Sequence, residues 1–155
     1  MREKTNYGNW VPEKALYMLF GGAAILLVAA IVSGVMGVVP VITWIAGVIG
    51  VLMLVMAVYM LICHEKFAFG KGNMMASVHQ HLVDHLDWDG KGELLDIGCG
   101  AAALTVRCAK AFLEAEITAM DYWGAEWNYG KEQCENNARL EGVANRITFQ
   151  KGDAA

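Results

Sequence analysis

Three carboxylates stand where apolar runs of the chain break: Asp96 in LLDIGCG, Asp121 in AMDYW and Asp153 in ITFQKGD. Gly98 and Gly100 follow the first of these and leave the chain without side chains there. A turn bared in this way lets backbone N–H groups, and the N-terminus of a helix that begins after it, approach an anionic group. Asp96 sets a negative charge beside that nest. A nucleotide phosphate is disfavoured at such a place, whereas a ligand carrying an ammonium as well as a carboxylate is favoured. Three acids at three strand ends fit a ligand that is cationic and rich in hydroxyl and amino donors.

The other reactive side chains carry less. His81 and His85 share a helix face, with His79 and Asp84 beside them, a spacing that metal sites use. No third ligand stands at a suitable distance along the chain, so a solvated or capping role is expected, and no metal. Cys63, Cys99, Cys108 and Cys134 show no CxxC or other paired spacing, which predicts free thiols without a disulfide or a zinc site. Cys63, at the edge of an apolar stretch, is in a position open to acylation. Trp123 and Trp127 read as packing residues.

The positioning elements follow from periodicity. Met75, Val78, Leu82 and Leu86 recur at three- and four-residue steps and predict a helix over 74–86. DWDGKG then marks a turn. Beyond it the pattern alternates: a strand over 93–97, a helix over 102–113, a strand over 116–120, a helix over 128–140 closed by Gly142, and a strand over 147–150. That alternation implies parallel strands with right-handed crossovers, the start of a doubly wound α/β sheet of Rossmann-like type in the order 3-2-1. Ligands of such sheets bind beyond the carboxyl ends of the strands, with the first strand-to-helix turn as the usual cradle.

Composition divides the chain. From Ala15 to Cys63 there is no Asp, Glu, Lys, Arg or His, although 18% of the 155 residues are charged. The stretch is too long for one membrane crossing, which takes about 20 residues, and suits two. A transmembrane helical hairpin is expected, with spans near 15–35 and 42–63, a turn at Gly34, Gly37 and Pro40, and Tyr17, Trp44 and Tyr59 as interfacial aromatics. The domain plan is then an N-terminal segment over 1–14, the hairpin over 15–63, a linker over 64–73 and a ligand-binding part over 74–155. Arg2, Lys4 and Lys14 ahead of the hairpin, and Lys66 and Lys71 after it, place both termini in the cytoplasm. After Cys63 there are 14 acidic residues against 9 Lys and Arg, which argues against nucleic acid as a partner.

Asp96-Ile97-Gly98-Cys99-Gly100 resembles motif I of the class I S-adenosylmethionine-dependent methyltransferases, an acidic-x-Gly-x-Gly-x-Gly signature in which Ala102 replaces the third glycine. The resemblance covers residues 73–155 and leaves the hairpin aside. It implies that Asp121 holds the ribose hydroxyls, that Tyr122 or Trp123 covers the adenine, and that Asp153 lies near the adenine amino group. The candidate cofactor-binding set is therefore Asp96, Gly98, Cys99, Gly100, Asp121, Tyr122, Asp153 and Ala154, with S-adenosyl-L-methionine as cofactor. The implied activity is methyl transfer to a small-molecule or lipid acceptor, and no catalytic residue is assigned. Two other readings stay open: an NAD(P)-binding oxidoreductase fragment, since GCGAAA approximates G-x-G-x-x-G, and a non-catalytic membrane protein with a nucleotide-fold remnant. The resemblance also implies a truncated chain, inactive alone, whose first strand lacks its neighbour and forms an exposed edge.

Overall fold

The computed structural model describes residues 3–37, 39–124 and 129–153, which form two compact units. One runs Asn9–Gly72, and the other joins the segment up to Gly8 with the chain from Asn73 onward. The stretch that the sequence sets apart as residues 1–14 is thus divided at Gly8.

The first unit is a hairpin of α1 (Glu13–Val35) and α2 (Pro40–Phe67). Both helices run past the charge-free stretch because Glu13, Lys14 and His64 to Lys66 continue the helical backbone. Pro40 opens α2, where its missing N–H leaves no bond unmade. At the end of α1, Gly37 takes the left-handed conformation (φ +67°) that glycine tolerates best. Leu16 and Ala23 on α1, and Gly50 and Ala57 on α2, are the buried positions, each pair seven residues apart along one helix face. A Cβ on Gly50 would lie 2.9 Å from Leu27 Cγ and 3.2 Å from its backbone nitrogen, so glycine is what lets the helices approach here. The outward surface is bare hydrocarbon: Ile31, Leu52 and Val55 are all more than 60% exposed. Both helices are long and apolar enough to cross a membrane.

Asn9, Val11 and His64 tie the chain into α1 to the end of α2. Asn9 Nδ2 donates to the His64 carbonyl at 2.9 Å, and His64 Nδ1 donates to the Val11 carbonyl at 3.0 Å. Trp10 meets Phe67 at 5.4 Å between ring centroids.

The second unit contains α3 (Met74–Asp84), β1 (Lys91–Ile97), α4 (Ala103–Ala111), β2 (Glu114–Asp121), α5 (Lys131–Leu140), a 3-10 turn (Ala144–Arg146) and β3 (Ile147–Lys151). The strands pair in parallel in the order β1-β2-β3, the order expected. β1 and β2 begin earlier than the apolar pattern indicates, because Lys91 and Glu114 pair in register and their side chains meet at 3.6 Å. Residue 128, the expected start of the last helix, lies outside the described residues, and α5 begins after Gly130. Gly142, left-handed at φ +74°, closes α5 as expected.

One face of the sheet carries α4 and α5. Ala115, Ile117 and Ala119 of β2 and Ile147 and Phe149 of β3 are buried there with Val106, Ala109, Cys134 and Ala138 of the helices. Arg146 fastens this layer by donating to the carbonyls of Ala109 and Phe112 at the end of α4. The opposite face carries Leu95 and Ile97, which are 56% and 57% exposed, in register with Thr118 and Met120. Among the described residues β1 pairs only with β2 and its outer edge is open.

Candidate functional site

The turn after β1 is built from alternating left-handed residues. Gly98, Gly100 and Ala102 have φ values of +78°, +56° and +65°. This is why the pattern wants glycine at every second position. Ala102 departs from it at a cost of about 1–2 kcal/mol, and its Cβ is fully buried against α4 and α5.

Four amides of this turn are engaged inside the protein. Gly98 and Cys99 donate to the Met120 carbonyl at 2.8 and 3.1 Å, Gly100 donates to Asp121 Oδ2 at 2.8 Å, and Ala102 donates to the Cys99 carbonyl at 2.8 Å. The sequence expectation of a nest of N–H groups facing an anion is therefore corrected at these positions. Parallel pairing of β1 with β2 brings the end of β2 close enough to take those donors. What the turn offers a ligand is carboxylate oxygen and the first turn of α4.

Asp121 is the hinge of the site. Its Oδ1 accepts the Trp123 N–H at 2.8 Å while Oδ2 accepts Gly100, so the carboxylate joins the end of β2 to the glycine turn. Each oxygen retains a second acceptor direction for a ligand hydroxyl. The short Asp121 loop holds Trp123 at φ +44°, a costly conformation for a bulky residue. The Trp123 indole N–H then donates to the Gly100 carbonyl at 3.0 Å, which also receives the Cys134 thiol at 3.0 Å. Trp123 is a packing residue, as expected, with its polar tip on the turn.

Asp96 sits at the end of β1 on the helix-covered side. Thr105 Oγ1, fully buried on α4, donates to its Oδ2 at 2.5 Å. Burial raises the Asp96 pKa above the ordinary carboxylate value; the Thr105 hydrogen bond opposes this and the negative charge of Asp121 adds to it. Cys99 turns its side chain inward. Contact with Cys134, then burial and the two aspartates, push its thiol pKa up, so it stays protonated.

The structure thus gathers Asp96, Gly98, Cys99, Gly100 and Asp121 around one turn. Tyr122, 56% exposed, follows directly, with the Lys151 ammonium 5.5 Å from its ring centroid. Asp153 lies two residues past β3, which is registered to β2 through Asp121 and Lys151. Two strand spacings, about 10 Å, separate it from the end of β1, the scale of an extended ligand. Ala154 and Trp127 lie outside the described residues. The histidines are elsewhere: His85 Nδ1 donates to the His81 carbonyl at 2.8 Å and the two rings lie 4.0 Å apart, a helix-end cap on α3.

Two residues of the site escape the motif reading. Thr105 orients Asp96, and Asn137, 1% exposed on α5, donates to the Ala101 carbonyl at 3.0 Å. Their signal is a polar side chain at a position whose helical neighbours, Cys134 and Ala138 for Asn137, form a small apolar stripe.

No protein-family model matches the chain, and no curated protein matches it by sequence. Among solved structures, coclaurine N-methyltransferase bound to N-methylheliamine and SAH is similar over 56% of this chain, with a TM-score of 0.41 and 21% identity. The chain spans about a quarter of that protein's length, the aligned part being 24% of it.

Proposed function

We propose that the α/β unit is an S-adenosyl-L-methionine-binding unit of a methyltransferase, carried by a hairpin that crosses a membrane twice. The observation that carries this reading is the way the glycine turn is satisfied. The amides of Gly98, Cys99 and Gly100 are held by Met120 and Asp121, and the carboxylates of Asp96 and Asp121 stand beside the turn, ahead of the first turn of α4. A pyrophosphate needs free N–H donors and no nearby acid. A sulfonium amino acid with a ribose needs acceptors, and here it finds them at adjacent strand ends.

In this reading Asp96 faces the ligand ammonium, Asp121 accepts from the ribose hydroxyls, Tyr122 covers the adenine and Asp153 stands near its amino group. The cofactor would supply a methyl group on a positively charged sulfur, passed to a nucleophile of a small-molecule or lipid acceptor. The protein contributes by binding and aligning, so proximity carries the rate.

Support for the two-span reading comes from the unit that residues 3–8 form with the chain after Asn73. Sequence ahead of α1 and sequence after α2 fold together, which requires both to lie on one side of any membrane the hairpin crosses. The Lys and Arg flanks assign that side to the cytoplasm.

Calorimetry of the full chain in detergent with S-adenosylmethionine, S-adenosylhomocysteine and NAD tests the reading. Saturable binding of the first two and none of NAD is expected. Binding of NAD alone, or of none of the three, would remove it.

A further inference from the structure

We infer that residues 3–8 form a strap that positions the glycine turn, with Asn137 as the positioning residue between them. The strap runs along one face of α5. Glu3 pairs with Arg139 at 2.6 Å, and Tyr7 donates to Glu141 at 3.2 Å. Gln133 Nε2 donates to the Asn6 carbonyl at 2.6 Å. Between these, the Asn6 backbone and the Asn137 side chain make a reciprocal pair. The Asn6 N–H donates to Asn137 Oδ1 at 2.9 Å, and Asn137 Nδ2 donates to the Asn6 carbonyl at 2.7 Å.

The second Nδ2 hydrogen of Asn137 goes to the Ala101 carbonyl in the turn. Both Nδ2 partners are carbonyls and the Oδ1 partner is an N–H, so only one orientation of the amide satisfies all three. Asn137 is almost completely buried, and a buried amide left with unmet groups is costly. Without the strap, Asn137 loses an acceptor and a donor partner at once and has reason to abandon Ala101 for water. The hold on the turn is therefore shared between α5 and a piece of chain on the far side, in sequence, of the hairpin. A second contact runs in parallel: the Tyr129 ring stands within 3.8 Å of where a Cβ on Gly8 or on Gly100 would lie.

The effect on affinity rests on the cofactor reading above, while the effect on the turn does not. The experiment therefore reads both. In the full chain in detergent, amide hydrogen exchange is followed at residues 98–102 and at 117–119 of β2, and S-adenosylmethionine binding is measured by calorimetry. Three variants are compared with the wild type: a chain lacking residues 2–7, Asn137→Ala, and Asn6→Pro, which removes the N–H given to Asn137 together with the side-chain oxygen that accepts the Gly8 N–H. Exchange at 98–102 is expected to rise about tenfold or more in all three, with β2 changing less than about threefold. The dissociation constant for S-adenosylmethionine is expected to rise about fivefold or more. Asn6→Ala, which loses the same side-chain contact with Gly8 and keeps the backbone pair with Asn137, should match the wild type in both readouts.

Turn exchange unchanged in the chain lacking residues 2–7, with β2 still protected, overturns the strap. So does loss of β2 protection in that chain, because the segment would then be a general folding element. A wild type that binds no S-adenosylmethionine defeats the cofactor reading and leaves the exchange comparison to decide the strap.

Discussion

The hairpin and the α/β unit close on the same kind of contact and differ in what they turn outward. Ala23, Gly50 and Ala57 bring α1 and α2 together, and Ala109, Ala115, Ala119 and Ala138, all 0% exposed, bring two helices onto the sheet. Small residues let backbones approach in both cases. Outside those seams, the hairpin shows Ile, Val, Leu and Met, while the α/β unit shows Lys, Glu, Gln and Asn. Close packing therefore says little about the surrounding medium, and the uncovered faces say a great deal. The α/β unit has exceptions: Leu82 on α3, Leu113 before β2, and the strip of Leu95 and Ile97 on the bare side of β1.

The comparison breaks first at the hairpin. Leu52→Arg puts a charge near the middle of α2, 63% exposed. Against water it should cost nothing measurable; at a bilayer centre it should cost about 2.5–3.5 kcal/mol. Membrane integration scored by alkaline extraction and glycosylation mapping should fall sharply, and unchanged integration would contradict the two-span reading.

Within the α/β unit, Ala119→Leu should destabilise by about 1–3 kcal/mol, since extra methylenes have no room between sheet and helix. Urea unfolding monitored by Trp fluorescence measures it, and a loss below about 0.5 kcal/mol would mean that the layer is looser than described.

Asp121→Ala should weaken S-adenosylmethionine binding by about 1–3 kcal/mol, the scale for losing hydrogen bonds to a charged acceptor. Because Asp121 also holds Gly100 and Trp123, the variant should expose the turn amides to faster exchange. Asp121→Asn should recover part of each. A dissociation constant equal to the wild type would take Asp121 out of the site.

Asp96 sharpens the contrast by pH. Its folded pKa is raised by burial, so the folded state holds the proton more tightly than the unfolded chain. Its contribution to stability is therefore largest below the ordinary carboxylate pKa, and it declines as pH rises through the raised value. A bound ammonium favours the carboxylate, so ligand affinity should rise with pH through that same window, with proton release. Calorimetry in two buffers of different ionisation enthalpy detects the release. Asp96→Asn should abolish it, and release that persists in Asp96→Asn would assign the proton elsewhere.

The smallest effect belongs to the strip on the bare side of β1. Ile97→Thr, on the open face, should change stability by no more than about 0.5 kcal/mol. A loss above about 1.5 kcal/mol by urea unfolding would show that this face is covered in solution.

The legible parts of this protein were those encoded by runs of residues. The charge-free stretch marked out two helices, and the alternation after Met74 marked out three parallel strands with two crossovers, because periodic burial leaves a local trace. The element ends were less legible. β1 and β2 start at Lys91 and Glu114 through a cross-strand pair that no single segment reveals. In the candidate site, Asp96, Gly98, Gly100 and Asp121 were readable from type and position. The engagement of the turn amides was not, since it depends on where Met120 and Asp121 arrive after a crossover helix.

By itself the sequence determined which stretches are helical or extended, where glycine is required, and that acids stand at strand ends, since all of these follow from composition and spacing along the chain. Only the tertiary structure decided that the amides of Gly98, Cys99 and Gly100 are taken up by Met120 and Asp121, with the Asp96 and Asp121 carboxylates beside the turn. The same holds for the fate of residues 3–8, which precede the hairpin in sequence and belong with α5 in space. Asn6 and Asn137 are 131 positions apart, and no local pattern records the bond between them. Long-range hydrogen bonds are set by which surfaces the core leaves to meet, and that is a property of packing.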